Sequence, residues 1–226
     1  EGRSGRRPGR GGGGGGLGAG GGSGQGPSGG GGQSATGLPE MRYADFLEKV
    51  IGTTPYLLQV RFDNHPALAP YLSGLATVRF TNLMRSGGAF VPCVAMKLPS
   101  NGNVTCAFWR EGNLVAEVAP DSGKIIRLAR RDGPITVAID DHPDLPGLMG
   151  LQLPYWKEAC ALNASAAEIF APIAYNSTDI SITPDGPVVV EVNYGGSLDV
   201  QQNATGRGLL TDEVHDWMLA HGLDLR

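Results

Sequence analysis

The run Ser177-Thr178-Asp179-Ile180-Ser181-Ile182-Thr183-Pro184-Asp185-Gly186-Pro187-Val188-Val189-Val190-Glu191-Val192-Asn193 decides how this chain is read. Two β-prone stretches flank Pro184-Asp185-Gly186, which suits a three-residue hairpin loop with glycine in the left-handed position. If Thr183 pairs with Pro187, Ile182 faces Val188, Ile180 faces Val190 and Asp179 lies directly opposite Glu191. Ile180, Ile182, Val188, Val190 and Val192 then form a buried face. Asn193 joins Glu191 on the other one. Two carboxylates and an amide oxygen converging in this way repel unless a cation is present. Few hard oxygen ligands with free coordination positions suit Mg²⁺ shared with substrate phosphates. A solvated hairpin face that binds nothing is the competing reading.

Working outward, turn signals at Ser86-Gly87-Gly88 and Ser100-Asn101-Gly102 separate further expected strands. These are Tyr56 to Phe62, Thr77 to Met84, Phe90 to Leu98, and Val104 to Trp109 with Leu114 to Val118. Tyr43, Phe46, Leu47, Val50 and Ile51 follow the helical period until Gly52. Pro154 is expected to open a second helix that runs to Phe170, with Trp156, Ala159, Cys160, Asn163, Ala167 and Phe170 on one side. A third spans Asp212 to His221. The pattern predicts an α+β fold, an antiparallel sheet with helices packed on one face.

Of the 36 glycines, 20 precede Leu38, so residues 1–37 are expected to be a disordered Gly-rich tail, and 38–226 one domain. Setting aside Arg3, Arg6, Arg7, Arg10 and Glu1 leaves 14 basic and 21 acidic residues, a net charge of −7 on that domain. Nucleic-acid binding, which needs a basic surface, is not expected. No apolar run reaches the roughly 20 residues of a membrane span. Cys93, Cys106 and Cys160 lack metal-ligand spacing and read as reduced, buried thiols. Together with the lack of a signal peptide this points to a cytoplasmic protein.

Thr178 to Pro187 followed by Glu191-Val192-Asn193 resembles the C-terminal part of ATP-grasp domains. Leu198-Asp199-Val200-Gln201-Gln202 and Gly206-Arg207-Gly208-Leu209-Leu210 narrow the likeness to the sugar-transfer-associated, α-L-glutamate-ligase-related members. The resemblance runs from about Phe46 to the end. It implies an ATP-grasp C-terminal subdomain with its hinge, and that the N-terminal subdomain is missing, since Gly-rich sequence stands in its place.

The resemblance also implies roles. Asp179, Glu191 and Asn193 would hold Mg²⁺, with Mn²⁺ as a substitute. Thr77-Val78-Arg79-Phe80 and Met96-Lys97-Leu98-Pro99 resemble strands that aim Arg79 and Lys97 at the triphosphate. Gln59 and Asn64, in a segment similar to the hinge, would contact the nucleoside. The alternatives for the two cations are an ion-pair partner for Arg79 and a snorkelling edge-strand lysine for Lys97. The implied activity is Mg²⁺-ATP-dependent ligation of a carboxylate to an amine through an acyl phosphate, linked to cell-envelope polysaccharide metabolism. The alternatives are a degenerate nucleotide-binding module and an ATP-grasp kinase. ATP, a small carboxylate and an amine are the expected partners, and a homodimer is an open assembly.

Overall fold

The computed structural model describes residues 41–53, 55, 59–104 and 110–224. The tail expected at 1–37 lies outside them, as do residues 56–58 and 105–109 of two expected strands. The chain divides at position 55 into two units. In the first, α1 (Tyr43–Phe46) continues as a π-helical turn over Leu47–Ile51 and stops at Gly52, whose φ is +55°. The expected helix is therefore present but changes its winding halfway.

The second unit is built on one antiparallel sheet of eight strands. They are β1 (Thr77–Arg85), β2 (Gly88–Phe90), β3 (Val94–Leu98), β4 (Leu114–Val118), β5 (Ile125–Asp132), β6 (Ile135–Ile139), β7 (Tyr175–Thr183) and β8 (Gly186–Tyr194). Their order is β6-β5-β4-β3-β1-β7-β8, with β2 paired to the far end of β1. The run expected as one strand from Phe90 to Leu98 is broken, because Pro92 has no N–H to give a ladder. Residues 59–62, expected to be extended in a strand, form no regular element. Strands β5 and β6 were not expected: Arg130 shares a face with Leu128 and Ala129 shares one with Arg127, which breaks the apolar alternation, and only Asp132-Gly133-Pro134 marks the turn between the strands.

One sheet face is apolar. Val78, Phe80, Met96, Leu98, Ala116, Leu128, Ile180 and Ile182 are all buried there. The helix α2 (Trp156–Ile169) closes this face through Trp156 and Ala159. Trp156 stacks on Phe80 at 5.4 Å and donates its indole N–H to the Pro120 carbonyl at 3.2 Å. It lies so tightly over Gly123 that a Cβ there would meet the ring at 2.3 Å, which excludes any side chain. Asn163, on the apolar side of α2, enters a buried amide cluster: Asn82 donates to Asn163, Asn176 and Thr178 at 3.0 to 3.1 Å.

The other face carries Ala95, Val115 and Ala129, onto which Ala204 and Val200 of α3 (Asp199–Thr205) pack. This short helix is an addition to the expected picture and sits opposite α2. Arg127 fixes its end by donating to the carbonyls of Asn203 and Ala204. Finally α4 (Asp212–Ala220) is capped by Thr211, whose hydroxyl accepts from the Val214 N–H, and Trp217 ties it to the Met84 carbonyl at 2.8 Å.

Candidate active site

The hairpin β7–β8 reaches its pairing by an unexpected route. The loop has two residues, so Thr183 pairs with Gly186 and not with Pro187. Thr183 accepts from the Asp185 N–H and donates to the Gly186 carbonyl, and Gly186 takes a φ of +123°. A straight ladder from this turn would place Val190 against Asp179. A bulge between Asp179 and Ile180 absorbs one residue of β8, so Asp179 pairs with Glu191 and Ser177 with Asn193. The expected buried face is corrected accordingly: Val189, not Val190, lies opposite Ile180; Val188 shares a face with Ser181; and Val190 is 46% exposed.

Partners in a ladder share a face, so the registers lay out the α3 side of the sheet row by row. The central row runs Glu117, Ala95, Arg79, Asp179, Glu191; beside it lie Thr81, Ser177 and Asn193, and on its other side Lys97 and Thr77. Residues from five strands, far apart in sequence, are thus assembled by alternation alone. Of the residues singled out from the sequence, Arg79, Lys97, Asp179, Glu191 and Asn193 come together; Gln59 and Asn64 belong to the segment before β1 and join none of these rows.

The centre of the array is an ion triad. Arg79 donates from Nε and Nη2 to the two Asp179 oxygens at 2.7 and 2.8 Å, and Lys97 Nζ donates to Oδ2 at 2.7 Å. The three side chains are only 13%, 8% and 2% exposed for Arg79, Lys97 and Asp179. Burial alone pushes the Asp179 carboxyl up, but the hydrogen bonds from Arg79 and the charges of Lys97 and Arg79 outweigh it and hold the group below its usual range. The hydrogen bond to Asp179 likewise raises Arg79. Arg79 is thus an ion-pair partner here, and Lys97 is no edge lysine, since β3 sits mid-sheet. The repulsion expected between Asp179 and Glu191 is corrected: Asp179 faces two cations, while Glu191 is exposed at the sheet edge.

Around the triad, polar atoms are buried with no partner: Thr77 Oγ1, Ser177 Oγ, Asn193 Nδ2 and Gln201 Oε1. Such groups are costly unless something meets them. Gln201, from α3, donates to Thr81 at 2.9 Å, and Cys93 donates to the same hydroxyl at 3.5 Å. Burial raises the Cys93 thiol, so it stays protonated. At the α3 end of the row Arg207 meets Glu117 at 2.7 Å, which raises the guanidinium further. Thr81, Ser177 and Gln201 escaped the sequence reading, although the i, i+2 spacing of Ser177 from Asp179 was available as a signal.

Asn64 acts within the loop instead. Its amide donates to the Gly74 carbonyl at 2.8 Å and accepts from the Ala76 N–H at 2.9 Å, fixing the approach to β1. Gln59 is exposed. No group of three or more His, Cys, Asp or Glu side chains able to hold a metal exists among the described residues. A hollow of about 830 Å³ between Arg85, Glu213, Trp217 and His221 contains none of the residues singled out from the sequence. No described helix is long and apolar enough to cross a membrane.

Comparison with known proteins places the chain in a family. The model of the sugar-transfer associated ATP-grasp family matches residues 46–215, which include the whole ionic array. No match was found among curated proteins or among solved structures. Since the match spans well over half of the 226 residues, the chain belongs to the sugar-transfer associated ATP-grasp family.

Proposed function

We propose that the ionic face takes Mg²⁺-ATP and that the chain is the ATP-handling part of a carboxylate–amine ligase. The γ-phosphoryl group would pass to a carboxylate, and an amine would attack the resulting acyl phosphate to give an amide, with ADP and phosphate released. The observation that carries this reading is the gathering of Arg79, Lys97, Asp179 and Glu191 on one face, beside buried polar atoms that have no partner. Asp179, Glu191 and Asn193 offer only hard oxygen donors, apart from the amide nitrogen of Asn193, and fit Mg²⁺ or Mn²⁺. The metal's contribution, when bound, is to neutralise charge on the phosphates.

The chain's own residues bind and orient. Arg79 and Lys97 would hold phosphate oxygens and stabilise the charge that develops during transfer. Gln59 would meet the nucleoside, and Asn64 is assigned to holding the loop that leads into β1. The family description names an association with sugar transfer, and a link to envelope polysaccharide is our extension of it. The closed state of Asp179 favours a second reading, a nucleotide-binding module without turnover. ADP release is the discriminating measurement, made with ATP, Mg²⁺ and panels of carboxylates and amines. The ligase reading expects ADP only when acid and amine are both present, and loss of most of it in Glu191→Gln. ADP formed with acid alone would make the protein a kinase; none under any condition would leave the binding module.

A further inference from the structure

We propose that the hollow between the end of β1 and α4 is a second binding site, separate from the ionic face, and that it takes a basic α-amino acid: one carboxylate and two ammonium groups on an aliphatic chain. The inference does not depend on the nucleotide reading. Arg85 stands six residues beyond Arg79 on β1, about 20 Å away at the rise of a strand.

The hollow holds about 830 Å³, within the range of about 300 to 1,000 Å³ usual for small-molecule sites. Met84, Pro172, Trp217 and Ala220 give it an apolar lining. Trp217 is pinned by the hydrogen bond from its indole N–H to the Met84 carbonyl at 2.8 Å, so this lining is fixed in place. The charges around it do not neutralise one another. Arg85 lies over the Phe90 ring at 3.9 Å and gives one long hydrogen bond, 3.3 Å, to the Glu213 carbonyl. The ring holds the guanidinium, and most of its N–H donors are left for a ligand. On α4, Glu213 and Asp216 also line the hollow, and among the described residues none of these three side chains is in an ion pair. An anion alone would meet two carboxylates there, and a cation alone would meet Arg85. The complement of one guanidinium and two carboxylates is the reverse set, one carboxylate and two cations. His221 adds to the preference. Its Nδ1 lies 2.8 Å from the Trp217 carbonyl, which can only accept, so Nδ1 carries the proton and Nε2 offers a lone pair to an ammonium. The apolar lining takes the methylene chain that joins the charged ends.

The test is calorimetric titration of the full chain with L-lysine and three analogues: norleucine lacks the second ammonium, cadaverine lacks the carboxylate, and glutamate carries a second carboxylate in place of the second ammonium. Lysine should bind at least about fivefold tighter than norleucine or cadaverine, and glutamate should give no measurable heat. Arg85→Gln should remove the preference for lysine over cadaverine and keep that over norleucine. The double change Glu213→Gln, Asp216→Asn should do the reverse. All three side chains are exposed, so both variants should keep the fold, which circular dichroism checks. No binding of lysine, equal affinity for lysine and norleucine in the wild type, or preferences unchanged in both variants would overturn the proposal. Saturating Mg²⁺-ATP should leave the affinity for lysine as it is; displacement of lysine would put the ligand at the ionic face and overturn the proposal as well. Lysine binding by a chain that does not take up Mg²⁺-ATP would remove the nucleotide reading and leave this one standing.

Discussion

The two faces of the sheet are made by the same strands and obey opposite rules. Toward α2, Val78, Phe80, Met96, Leu128 and Ile180 exclude water and need only approximate shape. Toward α3, alternate residues of those same strands, Arg79, Lys97 and Asp179, are largely withdrawn from solvent but depend on charge pairing at 2.7 to 2.8 Å. The first face supplies stability through area. The second is held in place by it and spends stability on a polar arrangement that replacement by apolar groups would not worsen. The proposed function falls where burial is least favourable.

The contrast can be broken most heavily on the apolar side. Phe80→Ala removes a ring that is 2% exposed and stacked on Trp156, and should lower stability by about 4 kcal/mol in urea denaturation. A loss under about 1 kcal/mol would mean that this face is not the main core.

On the ionic side the expected pattern is different. Asp179→Leu alone should cost about 3 kcal/mol because it strands two buried cations. The triple change Arg79→Met, Asp179→Leu, Lys97→Met should recover most of that loss while abolishing nucleotide binding. If the triple variant is no better than the single one, the triad is a structural clamp and the contrast fails. Acidity sharpens the point. Because the folded-state pKa of Asp179 is depressed, its contribution is present above the ordinary carboxylate pKa of about 4 and is lost as the pH falls below it. Wild type should therefore lose stability below about pH 4 more steeply than Asp179→Asn. Parallel curves would contradict the assignment. The smallest effect belongs to the α3 end of the row, where the cation is in solvent: Arg207 is 57% exposed, and Arg207→Ala should change stability by about 1 kcal/mol, diminishing with added salt.

How far the sequence could be read follows from the same contrast. Periodicity found β1, α2 and α4 because their apolar residues recur on one side, and it missed β5 because Arg130 falls on the same face as Leu128 while Ala129 falls on the face of Arg127, which breaks the alternation. The pairing of Asp179 with Glu191 was legible from the hairpin, but for a loop one residue too long, since nothing local announces a bulge. The grip of Arg79 and Lys97 on Asp179 was not legible. It depends on β1 lying between β3 and β7, a non-local fact that no window of sequence contains. The roles given to Asn64 and the amide cluster of Asn82 and Asn163 likewise needed the tertiary arrangement.

The bulge in β8 has one further meaning. With a two-residue turn and no irregularity, Glu191 would stand opposite Thr178 and Asn193 opposite Asn176, both facing the α2 side. The bulge takes Val190 out of the ladder and so keeps everything beyond it in phase, and the side chain of Val190 is 46% exposed. Its chemical nature is therefore nearly free, whereas its presence is a matter of counting. Deleting it would straighten the ladder and keep Asp179 against Glu191, while adding a residue beside it would turn the acidic edge of the site toward the core. The electrostatics of this face are thus written partly in chain length.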